Sequence, residues 1–499
     1  MNVSKHTFFT LLLWGCTEEK PQQEDDTTIT QRDPNNNGDE SLNILILGSE
    51  QSITDGVAFS ASQIATELES ILTSDTSLTY DIQVRAEDIH LSTDVTIGLG
   101  GNGAEYTYTH HSHSLLQYYY WPDGMADRHA NLKGEGGMVW DHVIIAADPY
   151  IVATTPGYYA LGVNKISSKV SSGIAEPHLL MIWPQVEYAS VSQYKEFIYR
   201  TAENAKEPLR VIPAALAWSN LEESQQDSSA THPSPHGAYL TASSIYSHLT
   251  GKNAVETGYS YQDDLAEVAF EMMNEAEEQG YDSQSFTFDS PFAPCDVMDE
   301  IITYNHTGSS SENGILGGLN WVFERAAESL ENGDASGSTF NFGRANSNFE
   351  ANKRYKINPD LFSYSFGFPM QDHGNHGDTS MLYGLDRRDS GVLNDTDLGV
   401  ARFMIEQGEL PYARAIPIRT LFAQMREVIP EQSAYRDAWH MHRDLDKAIG
   451  AYMYTILTSK GNLGEEPADP SSAEWRTWMA HKIGYETAWT FMYLEGASP

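Results

Sequence analysis

The residues best suited to chemistry are Asp437 and His440, three positions apart and just ahead of an apolar helical run (Ala448, Ile449, Ala451, Tyr452, Tyr454, Ile456). A carboxylate so placed hydrogen-bonds the imidazole nitrogen that faces away from a nucleophile. That bond fixes the tautomer and stabilises the imidazolium formed when the ring takes a proton. A base of this kind needs a hydroxyl, and two small-residue turns offer one: Gly308-Ser309-Ser310-Ser311 and Glu50-Gln51-Ser52-Ile53-Thr54. Each of Ser309, Ser310 and Ser311 is a candidate for the attacking hydroxyl. His232 is the earlier counterpart of His440. Ser229 stands where its aspartate belongs and Asp227 is the nearest acid, so the earlier set is the weaker catalyst.

Two blocks recur in the same order around these histidines. RVIPAALAW (Arg210 to Trp218) leads to ATHPSPHGAYLTASSIYSHLTGKN (Ala230 to Asn253), and RAIPIRTLF (Arg414 to Phe422) leads to RDAWHMHRDLDKAIGAYMYTILTSKGN (Arg436 to Asn462). Ordered recurrence of this kind predicts an internal duplication.

The elements that position the blocks follow from hydrophobic pattern. Leu42 to Leu47 is a short continuous apolar run, the pattern of a buried central strand, and a helical face follows through Val57, Ala61, Ile64, Ala65, Leu68, Ile71 and Leu72. A strand, a small turn and a helix set the turn's serines at a helix N-terminus, where backbone N–H groups favour developing negative charge. Further strands are expected at Tyr80 to Arg85, Asp141 to Ala146, His178 to Trp183 and Arg210 to Leu216, with an acidic helix at Gly258 to Gly280. A second cycle opens with a strand at Val297 to Tyr304 and a helix carrying Ile315, Leu316, Leu319, Val322, Phe323, Ala326 and Leu330. Tyr355 to Pro369 supplies another strand, and a final amphipathic helix carries Trp475, Trp478, Ile483, Ala488 and Phe491. Strands alternating with helices predict an α/β fold with parallel sheets and functional loops at the carboxyl ends of the strands. The expected units are residues 41–282 and 283–499.

Over 499 residues, 30 Lys and Arg face 70 Asp and Glu, a net charge of -40. A field of that sign repels nucleic acid and anionic lipid, so neither is an expected partner. The N-terminus, MNVSKHTFFTLLLWGC, has the layout of an export signal and is too short to span a bilayer. Leu13-Trp14-Gly15-Cys16 resembles a bacterial lipobox, which implies lipid attachment at Cys16 and an outer-membrane or cell-surface location, with contact to the membrane through that anchor alone. Residues 17–40 are polar and acidic and are expected to form a disordered tether. Cys295 is the only other cysteine and is expected to be a packed residue.

The turn Glu50-Gln51-Ser52-Ile53-Thr54 is similar to the nucleophile block of the SGNH (GDSL-type) hydrolases, with Gly and Asp replaced. Gly308-Ser309-Ser310 looks like the same block with the Asp changed. Asp437-x-x-His440 looks like the family's last block, and His232-Pro-Ser-Pro-x-Gly237-Ala-Tyr-Leu resembles its continuation in carbohydrate-esterase-like branches. Trp140 to Ile145 resembles the strand before the third block. The resemblance spans about 42 to 257 and 297 to 465. It implies two flavodoxin-like three-layer α/β/α domains in tandem, the first degenerate, and ester hydrolysis through a serine with no cofactor. Ser310 is then the nucleophile, His440 the base and Asp437 its orienter, with Ser52 and His232 the first-copy equivalents. Oxyanion donors are expected at Gly343 and Asn346 in the second copy and at Gly101 and Asn102 in the first. No Gly-x-Asn-Asp block is present, and Ala146-Ala147-Asp148 stands where one belongs. The implied substrate is a small ester or an O-acylated, for example acetylated, carbohydrate.

Two other readings bear on the same residues. Degenerate hydrolase domains make a surface protein that binds a glycan or a partner without turnover, as the altered first turn suggests. The histidine groups His110, His111, His113; His373, His376 with Asp378; and His440, His442 match no standard metal spacing, so no metal site is expected, and metal-dependent hydrolysis through the His373 loop ranks below the other readings. The aromatic run Tyr118-Tyr119-Tyr120-Trp121 is expected in a core or an interface rather than stacked on sugar.

Overall fold

The computed structural model describes residues 41–49, 60–99, 104–112, 114–146, 149–183, 191–206, 209–221, 235–259, 261–279, 301–307, 339–345, 364–367, 379–382, 414–429, 442–458 and 463–495. Along the first stretch the order is β1 (Ser41–Gly48), α1 (Ala61–Ser74), β2 (Asp81–Asp88), β3 (Ser92–Leu99), β4 (Ala104–His111), α2 (Leu115–Tyr120), α3 (Met125–Leu132) and β5 (His142–Ala146). Next come α4 (Pro149–Thr154), α5 (Pro156–Ser171), β6 (Glu176–Leu180), α6 (Val191–Asn204), β7 (Arg210–Ile212), α7 (Ala214–Ser219), α8 (Pro235–Thr250) and α9 (Asp263–Gln279).

Every residue of β1 from Leu42 to Gly48 is buried. A strand covered on both faces must spend its backbone hydrogen bonds on strands at either side. β1 does so in parallel with β2 on one side and β5 on the other, and β6 and β7 extend the sheet to the order β2-β1-β5-β6-β7. Helices cover both faces: α1, α8 and α9 pack on one another over one, and α4, α5 and α6 over the other. In α1 the buried side chains Ala61, Ile64, Ala65, Leu68, Ile71 and Leu72 recur every three or four residues, and the Ser60 hydroxyl caps the helix by accepting from the Gln63 amide at 3.2 Å. Asp75 ends it. Its carboxylate takes the Tyr246 hydroxyl at 2.8 Å and the Lys252 ammonium at 3.0 Å, tying α1 to α8. Burial pushes that carboxyl up, but these partners and Ser77 outweigh it and hold the group well below the usual carboxylate range.

A second parallel sheet is built from β8 (Ile301–Thr307), β9 (Thr339–Ala345), β10 (Tyr364–Gly367), β11 (Thr379–Leu382) and β12 (Arg414–Ala415), in the order β9-β8-β10-β11-β12. Numbered from its own first strand, each sheet runs second, first, third, fourth, fifth. This is the flavodoxin-like order, and the fold is α/β with parallel sheets.

Three further helices follow: α10 (Ile418–Val428), α11 (Arg443–Thr458) and α12 (Ala473–Glu495). α12 lies against α11 and α5. Gly484 permits the approach, since a Cβ there would stand 2.1 Å from the Ala448 carbonyl oxygen. Glu427 on α10 is the polar tie to the first sheet's helices. Its carboxylate accepts the Tyr119 hydroxyl at 2.7 Å, the Tyr120 hydroxyl at 2.9 Å and the Lys165 ammonium at 2.5 Å. Burial raises this carboxyl, and Lys165 with the two phenols more than offsets it, so the group stays below its ordinary range. The run Tyr118 to Trp121 is therefore buried packing, as its composition suggests.

Several expected strands shift. The run expected at Tyr80 to Arg85 is β2, which extends to Asp88. The segment expected at His178 to Trp183 begins at Glu176 and ends at Leu180, and that expected at Val297 to Tyr304 is β8, Ile301–Thr307. The strand expected to continue to Leu216 stops at Ile212, because Pro213 has no amide to donate and instead opens α7 as its N-cap. Pro417 does the same for α10 with nearly the same backbone angles, φ -84 and ψ 65 against φ -89 and ψ 48. After β2, β3 and β4 form an antiparallel two-stranded sheet of their own. Residues 1–40, Cys295 and the Ile315 to Leu330 helix lie outside the described residues.

His481 on α12 is 1% exposed, and burial with the nearby Lys447 charge pushes its imidazole down to about 4. The unfolded chain, with an imidazole near about 6.5, takes up this proton first as pH falls. The folded state keeps its full advantage above about pH 6.5 and loses it progressively towards pH 4, by up to about 3 kcal/mol. His481→Gln is therefore expected to show a smaller fall in Tm between about pH 7 and pH 4.5 than the wild type. Identical falls in a melting series would show that this histidine does not titrate as described.

Candidate functional site

In a sheet of this order, the connections leaving the first and third strands run to opposite faces and open a crevice at the carboxyl ends. In the first sheet those strands are β1 and β5; in the second, β8 and β10. The chain leaves β1 through Gly48-Ser49; Gly308-Ser309-Ser310, which follow β8 in sequence, lie outside the described residues.

Around the end of β1, residues 41–49 and 60–99 are described. Ser49 is buried, and its hydroxyl lies 3.1 Å from His90 Nδ1 and 3.5 Å from Nε2. His90 is held by what precedes it. The Ile89 amide donates to the Gly48 carbonyl at 3.0 Å, which continues the β1–β2 ladder past the strand end, and the His90 amide donates to Asp88 Oδ1 at 2.9 Å. Ser112, at the end of β4, closes the same corner by donating its amide to the Leu91 carbonyl at 2.8 Å and its hydroxyl to the Ile89 carbonyl. Asp88 Oδ1 is 3.8 Å from His90 Nδ1.

A serine, a histidine and an aspartate thus meet at the crevice edge, but not as a proton relay. In a relay the hydroxyl and the carboxylate address opposite ring nitrogens. Here both lie nearest Nδ1, and the carboxylate is engaged by the His90 backbone. The arrangement positions the Ser49 hydroxyl beside the imidazole on the same side as Asp88.

Of the residues expected to act, Ser52, His232, Gly101, Asn102, Ser310, Asn346, Asp437, His440 and Cys16 lie outside the described residues. Their flanks are described. Ser52 falls between Ser49 and Ser60, the cap of α1; His232 precedes α8; Ser310 follows β8; Asp437 and His440 precede α11; Gly101 and Asn102 lie between β3 and β4. Gly343 falls inside β9, paired with Asn305 of β8, and Asn346 is the first residue beyond that strand. His442 lies at the entrance to α11, where its Nδ1 accepts from the Asp444 amide at 3.3 Å.

Ser49 and His90 were not among the expected residues. The signal for them was the position of Ser49 straight after the glycine that ends β1. The histidine lies about 40 residues away and is brought in by strand pairing, which no short motif encodes. Trp183, three residues past β6, stacks on Trp218 of α7 with ring centroids 5.4 Å apart and an interplanar angle of 7°. The two indoles wall this end of the sheet. Among the described residues, the one grouping of three metal-donor side chains lies elsewhere, towards the amino ends of β5 and β6.

No family model matches the chain, and no curated protein matches it. Two solved structures resemble it. A DUF4886 family protein from Bacteroides uniformis shares 10% identity with a TM-score of 0.30, over 50% of this chain and 100% of its own. A candidate SGNH hydrolase from Slackia heliotrinireducens shares 19% identity with a TM-score of 0.27, over 41% of this chain and 97% of its own. The fold class rests on strand order rather than on these likenesses.

The shared nitrogen implies that the Ser49–His90 bond holds the crevice edge together. Ser49→Ala is expected to cost about 1 kcal/mol of stability and to leave labelling by a serine-directed fluorophosphonate unchanged. Loss of the label in that variant, read by intact mass, would make Ser49 the nucleophile instead.

Proposed function

We propose that the chain is a serine ester hydrolase of SGNH type and that its second sheet carries the reaction. The observation that carries this reading is the place of β8. It is the first strand of a parallel sheet with the second-first-third order, the strand after which a switch point falls, and Gly308-Ser309-Ser310 comes directly after it in sequence. At the other end of the unit, β12 leads through Pro417 into α10, and Asp437-x-x-His440 comes immediately before α11. The matching strand orders and the two proline-capped helices support two copies of one unit.

In this mechanism the Ser310 hydroxyl attacks the ester carbonyl as His440 takes its proton, forming a tetrahedral intermediate. His440 returns the proton to the leaving alkoxide as the carbon–oxygen bond breaks, and water repeats the sequence on the acyl-enzyme. Asp437 holds the imidazole. Backbone N–H groups following the turn, with Gly343 and Asn346, stabilise the oxyanion. The substrate is a small or carbohydrate-borne O-acyl ester. Export by the N-terminal segment and anchoring at Cys16 place the reaction at a bacterial surface.

For the first sheet a binding role is favoured, because Ser49, His90 and Asp88 meet without relay geometry. In this reading it holds a glycan or a partner.

The test is hydrolysis of a short-chain aryl ester and of acetylated polysaccharide by the full chain. Ser310→Ala and His440→Ala are each expected to lower kcat by about 10³-fold or more, and Asp437→Asn by up to about 10⁴-fold. Wild-type turnover that survives all three but disappears with Ser52→Ala moves the site to the first unit. An inert wild type leaves the binding role for both units.

A further inference from the structure

Buried ionisable side chains inside a parallel sheet call for a reason, because desolvation disfavours their charged forms. Among the described residues three histidines lie in a row near the amino ends of β5 and β6, away from the crevice. His142 opens β5, His178 is the third residue of β6, and His248 comes from the last turn of α8. His142 Nδ1 is 3.0 Å from His178 Nε2, and His178 Nδ1 is 3.0 Å from His248 Nε2. His178 and His248 are 1% and 3% exposed. In the register His142 pairs with Glu176, two residues before His178, so all three side chains point to the same face.

Glu176 Oε2 is 3.7 Å from His142 Nδ1 and 3.7 Å from His178 Nε2. That is too long for a hydrogen bond to either ring, yet equidistant from both. Three donor atoms with separations of 3.0, 3.7 and 3.7 Å share a point about 2.0 Å from each, the bond length of a divalent transition ion to imidazole and carboxylate.

We propose that His142 Nδ1, His178 Nε2 and Glu176 Oε2 bind a zinc-class divalent ion at the amino end of the first sheet. Water takes the fourth position on the side where Glu176 is exposed. His248 is a positioning residue. Its Nε2 accepts the proton of His178 Nδ1, which leaves Nε2 of His178 deprotonated towards the ion, the partnership typical of histidine ligands. Arg210, paired with His178 from β7, is the opposing charge at this end, and the Glu176 carboxylate acts against it at His142. The ion cross-links β5 to β6 and is separate from the ester-hydrolysing site.

The experiment titrates zinc alone into the full chain after dialysis against chelator, by calorimetry and by melting. The wild type is expected to take up one equivalent that His142→Gln and Glu176→Ala do not, with both variants melting like the wild type in chelator. A zinc excess of about a hundredfold over Kd is expected to raise the wild-type Tm by about 5 °C and to leave both variants unmoved. His248→Phe is expected to weaken the same site by about 10- to 100-fold without removing it. Zinc uptake and melting shifts equal in the wild type and both variants would assign binding to histidines elsewhere and overturn the proposal. So would a wild type that takes up no zinc.

Discussion

The structure depends on the burial of β1. A strand with Leu42, Ile44, Leu45, Ile46 and Leu47 all at or below 4% exposure has no face for water, so it needs a helix layer above and below and a hydrogen-bonded neighbour on each side. Parallel neighbours meet both needs, because each crossover between them lays a helix across a face. Once β1 has β2 on one side and β5 on the other, their crossovers must leave on opposite faces, and the crevice at the carboxyl ends follows. β8 takes the same place in the order of the second sheet, between β9 and β10.

What the sequence shows of this follows local pattern. The apolar run of β1 and the three-and-four spacing of α1 are legible because one short window contains the whole signal. The recurrent Arg-x-Ile-Pro blocks are legible too, and the structure shows their purpose: a short strand that proline ends and a helix that proline opens. The β3–β4 hairpin was not legible. Its period of two is present, with Val95, Ile97 and Leu99 paired to Tyr108, Tyr106 and Ala104, but the glycines at 98, 100, 101 and 103 break the run between the two strands.

The polar contacts were the least legible, for a physical reason. Glu427 binds two phenols and a lysine that lie roughly 260 to 310 positions earlier, and Ser49 meets His90 across a strand pair. Such groups reveal themselves only by being polar where burial is unavoidable. His178 carries that mark, an imidazole inside EPHLL. Its meaning depends on His142 and His248, which register and helix packing supply and spacing does not.

The two ends of the first sheet are under different demands. At the carboxyl ends the chain turns from strand to helix, so backbone N–H groups and small side chains collect there and an anion or a developing oxyanion is favoured. At the amino ends helices arrive with their carbonyl ends, and the last turn of α8 brings His248. Partial negative charge there favours cations and proton donors. Buried imidazoles with a glutamate beside them fit that end, whereas a nucleophile and its oxyanion hole fit the other. The field of the parallel fold therefore suits the two ends of one sheet to different chemistries, cations and proton donors at the amino ends and anions at the carboxyl ends.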